Sequence, residues 1–177
     1  MKKIYMIAGK ARHGKDTIGG YIKEYYLKKG FKTIILQISS PLKYYASKAL
    51  DWDGSEETKP RTFLQEVGTI IRSDIDEKFF TNRLIEDIKI LGNYCDVIVI
   101  TDVRLPLEFN EVSNSFQNVK KVFVERSNFE SDLSKVEKKH AIENSLGDYH
   151  DYDIYIKNDG NLNQLKSKIE SILEEDV

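Results

Sequence analysis

The residues best suited to chemistry stand close to the N-terminus, in the run Gly9-Lys10-Ala11-Arg12-His13-Gly14-Lys15-Asp16-Thr17. Two glycines flank four residues, a lysine follows the second, and a hydroxyl comes one place later than in the GxxxxGK[ST] form because Asp16 intervenes. Glycine permits backbone angles closed to other residues, so consecutive N–H groups can converge on one anion. Lys15 adds a point charge, and a helix opening there turns its unpaired N–H groups and positive dipole end to the same place. The chemistry implied is polyphosphate binding. The backbone from Gly9 to Thr17 and the Lys15 ammonium would hold donor phosphates, and the Thr17 hydroxyl a magnesium ion.

A second group lies at the end of the apolar run Asp96-Val97-Ile98-Val99-Ile100-Thr101-Asp102-Val103-Arg104. A hydrophobic strand closing in Asp is suited to hold magnesium directly or through water. Asp102 and Arg104 also fit an ordinary ion pair at a strand end. Arg61, Arg72 and Arg104 carry planar forks that match phosphate oxygens. The Gln65 amide, which donates and accepts, suits the edge of a base, and suits a solvated helix surface equally well.

These groups need a frame, and the apolar pattern supplies one. Ile4–Ala8 reads as a buried strand. Ile18, Tyr21, Ile22, Tyr25 and Tyr26 then recur at helical spacing up to Lys28-Lys29-Gly30. Thr33–Ile38 is the second strand, nearly continuous in apolar residues, as in a parallel sheet covered on both faces. Ser39-Ser40-Pro41 predicts caps and a first turn for a helix to about Leu50. Asp51–Pro60 is an acidic loop, after which Arg61–Ile71 and Ile75–Leu91 predict two further helices. The third strand, Asp96–Arg104, leads into a helix at Leu105-Pro106, and Val119–Val124 is the fourth strand. Glu125–His140 is highly charged and fits a mobile lid as well as it fits a solvated loop. Asp153–Ile156, the turn Asn158-Asp159-Gly160 and the helix Leu162–Leu173 complete the chain, with an acidic tail. The expectation is one three-layer α/β domain over residues 1–177, five parallel strands with helices on both faces. Ligands in such sheets bind beyond the carboxyl ends of the strands, where Gly9, Ser39, Asp102 and Glu125 fall.

Composition narrows the function. With 27 basic and 29 acidic residues and a net charge of −2, no global field recruits nucleic acid, and an anion site must be built locally. The single cysteine, Cys95, excludes an internal disulfide and points to a reducing compartment and a packing role. The N-terminus enters the first strand at once and the apolar runs are of strand length, so neither a signal segment nor a membrane span is expected. His140 and Glu143 cannot complete a zinc site alone, and zinc is rejected.

Several segments together resemble the deoxynucleoside monophosphate kinases of tailed bacteriophages, a branch of the P-loop nucleoside monophosphate kinases. They are Gly14-Lys15-Asp16-Thr17; Ser40-Pro41-Leu42-Lys43; Arg61-Thr62-Phe63-Leu64-Gln65-Glu66-Val67-Gly68-Thr69 with Arg72; Thr101-Asp102-Val103-Arg104-Leu105-Pro106 with Glu108; and Asn158-Asp159-Gly160. The resemblance spans nearly the whole chain. It implies a P-loop kinase fold with an acceptor-binding helical insertion over about residues 41–92 and a small lid over about 125–140. It also implies transfer of the ATP γ-phosphoryl, with Mg2+, to a (deoxy)nucleoside monophosphate to give the diphosphate. Lys15, Arg104 and Asp102 would be catalytic. Gly9, Lys10, Ala11, Arg12, His13, Gly14, Lys15, Asp16 and Thr17, with Arg126 from the lid, would bind ATP. Ser40, Lys43, Arg61, Gln65, Thr69, Arg72 and Arg104 would bind the acceptor, and Thr17 and Asp102 the metal. The partners implied are small nucleotides, not nucleic acid or membrane, with a homodimer compatible, in the cytoplasm, the host's for a phage protein.

Three departures stand out. Arg12-His13 places bulky groups where small residues are usual, Asp16 puts a carboxylate beside the phosphates, and Arg126 is the single lid arginine, with Lys135, Lys138 or Lys139 as substitutes. Two rivals stay open. A kinase of phosphomevalonate or dephospho-coenzyme A would keep the donor residues and differ between Ser40 and Arg83. A non-catalytic nucleotide-binding switch would lack the acceptor-side arginines.

Overall fold

The computed structural model describes residues 2–127, 146 and 149–175. Strands β1 (Lys3–Ala8), β2 (Thr33–Leu36), β3 (Val97–Val103), β4 (Val119–Glu125) and β5 (Ile154–Lys157) form one parallel sheet in the order β2-β3-β1-β4-β5. Helices α1 (Lys15–Lys28), α2 (Ser40–Ala49), α3 (Arg61–Ile70), α4 (Phe79–Leu91), α5 (Pro106–Ser115) and α6 (Leu162–Glu175) surround it. Side chains alternate across a strand, and the two central strands divide accordingly. Ile4, Met6, Ala8, Ile98 and Ile100 face a core shared with α2, α4 and α5, whereas Tyr5, Ile7, Val97 and Val99 face α1 and α6. Both faces are covered, as the unbroken apolar runs require.

Two irregularities in this frame position the site. Met6 pairs with Ile100 but Ala8 pairs with Val103, so β3 carries one extra residue at Thr101-Asp102. A bulge of this kind re-aims side chains. Val103 joins the same core as Ile98 and Ile100, out of step with strict alternation, and Asp102 is turned toward the end of β2. That strand stops at Leu36 rather than at the expected Ile38, because the Ile38 and Ser39 N–H groups leave the sheet to reach Asp102.

The second irregularity is in the insertion. The expected helix from Ile75 begins only at Phe79, and α3 runs on through a π turn at Ile71–Ile75. Asp76 then adopts extended backbone, and its carboxylate accepts from Lys78 N and Asn82 Nδ2, which starts α4 afresh. A π turn adds a residue to the helical register and commonly lies at a functional site. Here it carries Arg72.

Candidate active site

The loop after β1 is shaped by its glycines. Gly9 (φ 149°) passes so close to β4 that a Cβ would stand 2.4 Å from the Val124 carbonyl oxygen, and Gly14 (φ 96°) is left-handed with Asn158 Nδ2 where its Cβ would be. Arg12 also has positive φ (62°), a strained setting for a residue with a long side chain. Lys10 and Arg12 are exposed, and Ala11 is half-buried. Lys15 folds across the loop, its Nζ donating to the carbonyls of Gly9 (2.7 Å) and Lys10 (2.9 Å). The ammonium, the first N–H groups of α1 and the exposed Thr17 therefore share one end of the sheet.

Asp16 has a partner that the sequence did not announce. Its Oδ1 accepts from Thr101 Oγ1 at 2.7 Å, from α1 to β3. Gly19, one turn further along α1, makes this approach possible: a Cβ there would lie 2.4 Å from Thr101 Cγ2. Asp16 and Thr17 thus stand at the mouth of the loop, the former held by a protein hydroxyl.

Asp102 is an anchor for the end of β2. Its Oδ1 accepts from Ile38 N (2.7 Å), and its Oδ2 from Ser39 N (3.0 Å) and Ser39 Oγ (2.6 Å). Ser39 was expected as a cap for α2; its hydroxyl goes to Asp102 instead, and Pro41 takes its place in the first turn. Charged acceptors make the stronger hydrogen bonds, so this carboxylate holds the β2–α2 junction beside the phosphate loop.

The acceptor-side arginines separate. Arg72, on the π turn, lies 4.6 Å over the Phe80 ring, donates to Gly68 O (3.2 Å) and has Glu108 Oε1 at 3.7 Å. Asp102 and Arg104 are close enough to act on its charge. Glu108 ties Arg72 to the start of α5. One oxygen, Oε2, accepts from Arg104 N (2.7 Å) and Leu105 N (3.0 Å), closing the first turn of α5, while the other faces Arg72. Sequence reasoning gave Glu108 no role, though its place two residues after Pro106 is that of an N3 residue reaching back to the helix start. Arg61 is paired with Glu56 in the preceding loop (2.5 Å). Gln65 is half-buried, the Thr69 hydroxyl donates to the Gln65 carbonyl of its own helix (2.8 Å), Ser40 is exposed, and Lys43 donates to Gln37. Of the acceptor set, Arg72 lies within electrostatic reach of both Asp102 and Arg104.

Burial pushes the Glu108 carboxyl up to about 7 and outweighs the two N–H donors and the Arg72 charge. The folded state keeps this proton to near neutrality, while an unfolded chain releases it near 4.5. Stability from this group is thus present below pH 4.5 and is lost as pH rises through about 7. Glu108→Gln, which keeps an oxygen for the two N–H groups, should flatten that dependence. The wild-type melting temperature should fall relative to the variant between pH 5 and 8, by about 4–8 °C if the shift is worth on the order of 2 kcal/mol. Parallel curves for the two proteins would count against the buried proton.

At the donor side, Arg126 is exposed at the end of β4 and its N–H reaches His13 Nδ1 at 3.2 Å. Lys135, Lys138, Lys139, His140, Glu143 and most of the expected lid lie outside the described residues. Among the described residues no cluster of three or more His, Cys, Asp or Glu side chains could hold a metal ion, and no helix is long and apolar enough to cross a membrane.

A five-stranded parallel sheet with a glycine-framed loop at its carboxyl end that leads into a helix, and with helices on both faces, is the P-loop kinase fold. Solved structures agree in fold: an APS kinase from Mycobacterium tuberculosis in complex with AMPPNP and APS (14% identity, TM-score 0.55, 98% of each chain covered), and shikimate kinase from Aquifex aeolicus (16%, 0.55, 98% of this chain and 97% of that one). A sugar kinase from a Janibacter species is similar as well (13%, 0.58, 98% and 95%). No curated protein matches the sequence. The deoxynucleotide monophosphate kinase family model matches residues 37–169, more than half of the chain, and the chain belongs to that family. Membership of that family makes it an ATP-dependent kinase, a phosphotransferase of nucleoside monophosphates.

Proposed function

We propose that the acceptor is a deoxynucleoside monophosphate, that the γ-phosphoryl of ATP is moved to it to give the diphosphate, and that the residues described above divide the work. The observation that carries this reading is Arg72 of the insertion held against Glu108, which also binds the backbone that follows the end of β3, the strand paired with β1 beside the phosphate loop. Phosphoryl transfer demands alignment, charge neutralisation and exclusion of water, with little covalent work from the protein. The loop backbone from Gly9 to Thr17 and Lys15 hold the donor phosphates. Arg72 and Arg104 grip the acceptor phosphate and meet charge on the migrating group, with Arg61, Gln65, Thr69, Ser40 and Lys43 in the outer acceptor surface. Arg126 approaches ATP from the far side.

The oxygen donors present fit magnesium, a hard cation that favours carboxylate, hydroxyl and water oxygens. The exposed Thr17 hydroxyl and the Asp102 carboxylate would hold it, the latter through water since both oxygens already accept N–H or O–H bonds. Asp16 adds a third oxygen group at the loop mouth. When bound, the ion offsets negative charge on the donor phosphates.

A panel of ribo- and deoxynucleoside monophosphates with ATP and magnesium tests the proposal, read as diphosphate formed. A protein that binds ATP yet phosphorylates none of them returns the acceptor to a different phosphate compound. Arg72→Ala separates the two substrates. The acceptor KM should rise about 10- to 100-fold, the loss of one charge-assisted contact, while the ATP KM stays near wild type. Equal weakening of both would sink the acceptor-side map.

A further inference from the structure

Beyond the place of its backbone in the loop, the His13 side chain has been given no task so far, yet it is 7% exposed and lies where the loop meets two other segments. Its Nδ1 accepts the Arg126 N–H at 3.2 Å, and its carbonyl accepts from Asn158 Nδ2 at 2.9 Å. Asn158 N in turn donates to Glu125 O, and Asp159 accepts from Ser127 N at 2.8 Å and from Ser127 Oγ. Gly14 has no room for a Cβ against Asn158. The phosphate loop, the first residues after β4 and the turn after β5 are therefore one knot, with the imidazole at its centre. A side chain that only filled space there would need no nitrogen, since the neighbouring Val124 is apolar and fully buried.

We propose that His13 is a positioning residue for the donor nucleotide: by accepting the Arg126 N–H it ties the segment bearing Arg126 to the phosphate loop, so that the setting of that segment follows the loop's conformation. The inference rests on the kinase reading of the loop. Burial and the nearby Lys15 and Lys10 charges lower the imidazole pKa against the opposing pull of the Val124 carbonyl and Glu125, which keeps an unprotonated ring nitrogen in the neutral range. The bulky residue that departs from the family's loop pattern thus has a task that a small residue could not perform.

Two substitutions isolate the nitrogen. Asparagine places its oxygen near the Nδ1 position, whereas glutamine carries it one bond further. In calorimetric titrations with ATP and magnesium, His13→Gln should bind ATP about tenfold more weakly, the equivalent of one hydrogen bond. His13→Asn should stay near wild type, and the acceptor KM should be unchanged in both. Arg126→Pro, which deletes the N–H, should bind ATP more weakly than Arg126→Ala, which keeps it; this second pair reads the same bond without altering His13. Equal ATP affinity for the Asn and Gln variants, or for the Pro and Ala variants, overturns the inference. Failure of the wild-type protein to bind ATP overturns the kinase reading itself, a result no variant comparison would imitate.

Discussion

Lys15→Ala should leave the fold intact and reduce turnover by two or more orders of magnitude, about the effect of removing one preorganised donor from a site where charge develops. The ammonium bridges the carbonyls of Gly9 and Lys10, so it is part of the loop's own architecture as well as its charge. Losing two partly exposed bonds should cost on the order of 1 kcal/mol each, or less, which is a shift of a few degrees in melting temperature for a chain of this size. The two consequences differ in scale and are separately measurable. Turnover near wild type in a folded variant would remove Lys15 from the chemistry and return the loop to a strand-to-helix turn. Lys15→Arg sharpens the test: it keeps the charge but exchanges a compact ammonium for a planar fork on a longer stem, and should recover stability before it recovers turnover.

What could be read from the residues alone was whatever is encoded locally. The phosphate loop is a run of nine residues whose glycines declare their backbone, and Gly9 and Gly14 indeed stand at positive φ. The strands are apolar runs with both faces buried, and the helices that follow them repeat at helical spacing, so five strands and the α/β order were legible. The misplaced boundaries have two causes: the start of α4 is set by local bonds to Asp76, and the end of β2 by a tertiary bond that outcompetes local pattern. Thr33–Ile38 is apolar throughout, yet β2 ends two residues early because Asp102, 64 residues away, takes the Ile38 N–H. Nothing near Asp16 names Thr101 as its partner, 85 residues distant. The π turn, which places Arg72 against Phe80 and Glu108, falls in the gap between the two helices expected over Arg61–Ile71 and Ile75–Leu91, where the sequence shows no periodicity. The grouping of arginines was likewise hidden: Arg61 and Arg72 look equivalent in sequence, but one is paired to Glu56 in a loop and the other is locked over an aromatic ring beside Asp102.

Asp102→Asn should lower stability and raise the magnesium requirement together, which neither a simple ion pair nor a simple metal ligand predicts. The carboxylate accepts three hydrogen bonds from two consecutive residues. An asparagine offers one oxygen and turns an NH2 group toward a remaining donor, so at least one N–H or O–H loses its acceptor. That loss should cost on the order of 2 kcal/mol, or about 4–8 °C in melting temperature. Replacing a charged acceptor of water by a neutral one should also shift the magnesium titration to higher concentration. Ser39→Ala separates the two contributions, because it removes one of the three bonds and leaves the carboxylate charged. It should lower the melting temperature by less than half as much and leave the magnesium titration in place. Arg104→Ala should reduce turnover with the magnesium requirement unchanged if, as proposed, its planar fork serves the phosphates and not the ion. The decisive comparison is Ser39→Ala with Asp102→Asn. If both shift the magnesium titration alike, Asp102 acts on the ion only through the β2–α2 junction that it holds. If only Asp102→Asn does so, the carboxylate serves the junction and the ion at once. Near-normal activity in the Asp102→Asn, Arg104→Ala double variant would leave the pair a structural feature of the strand end.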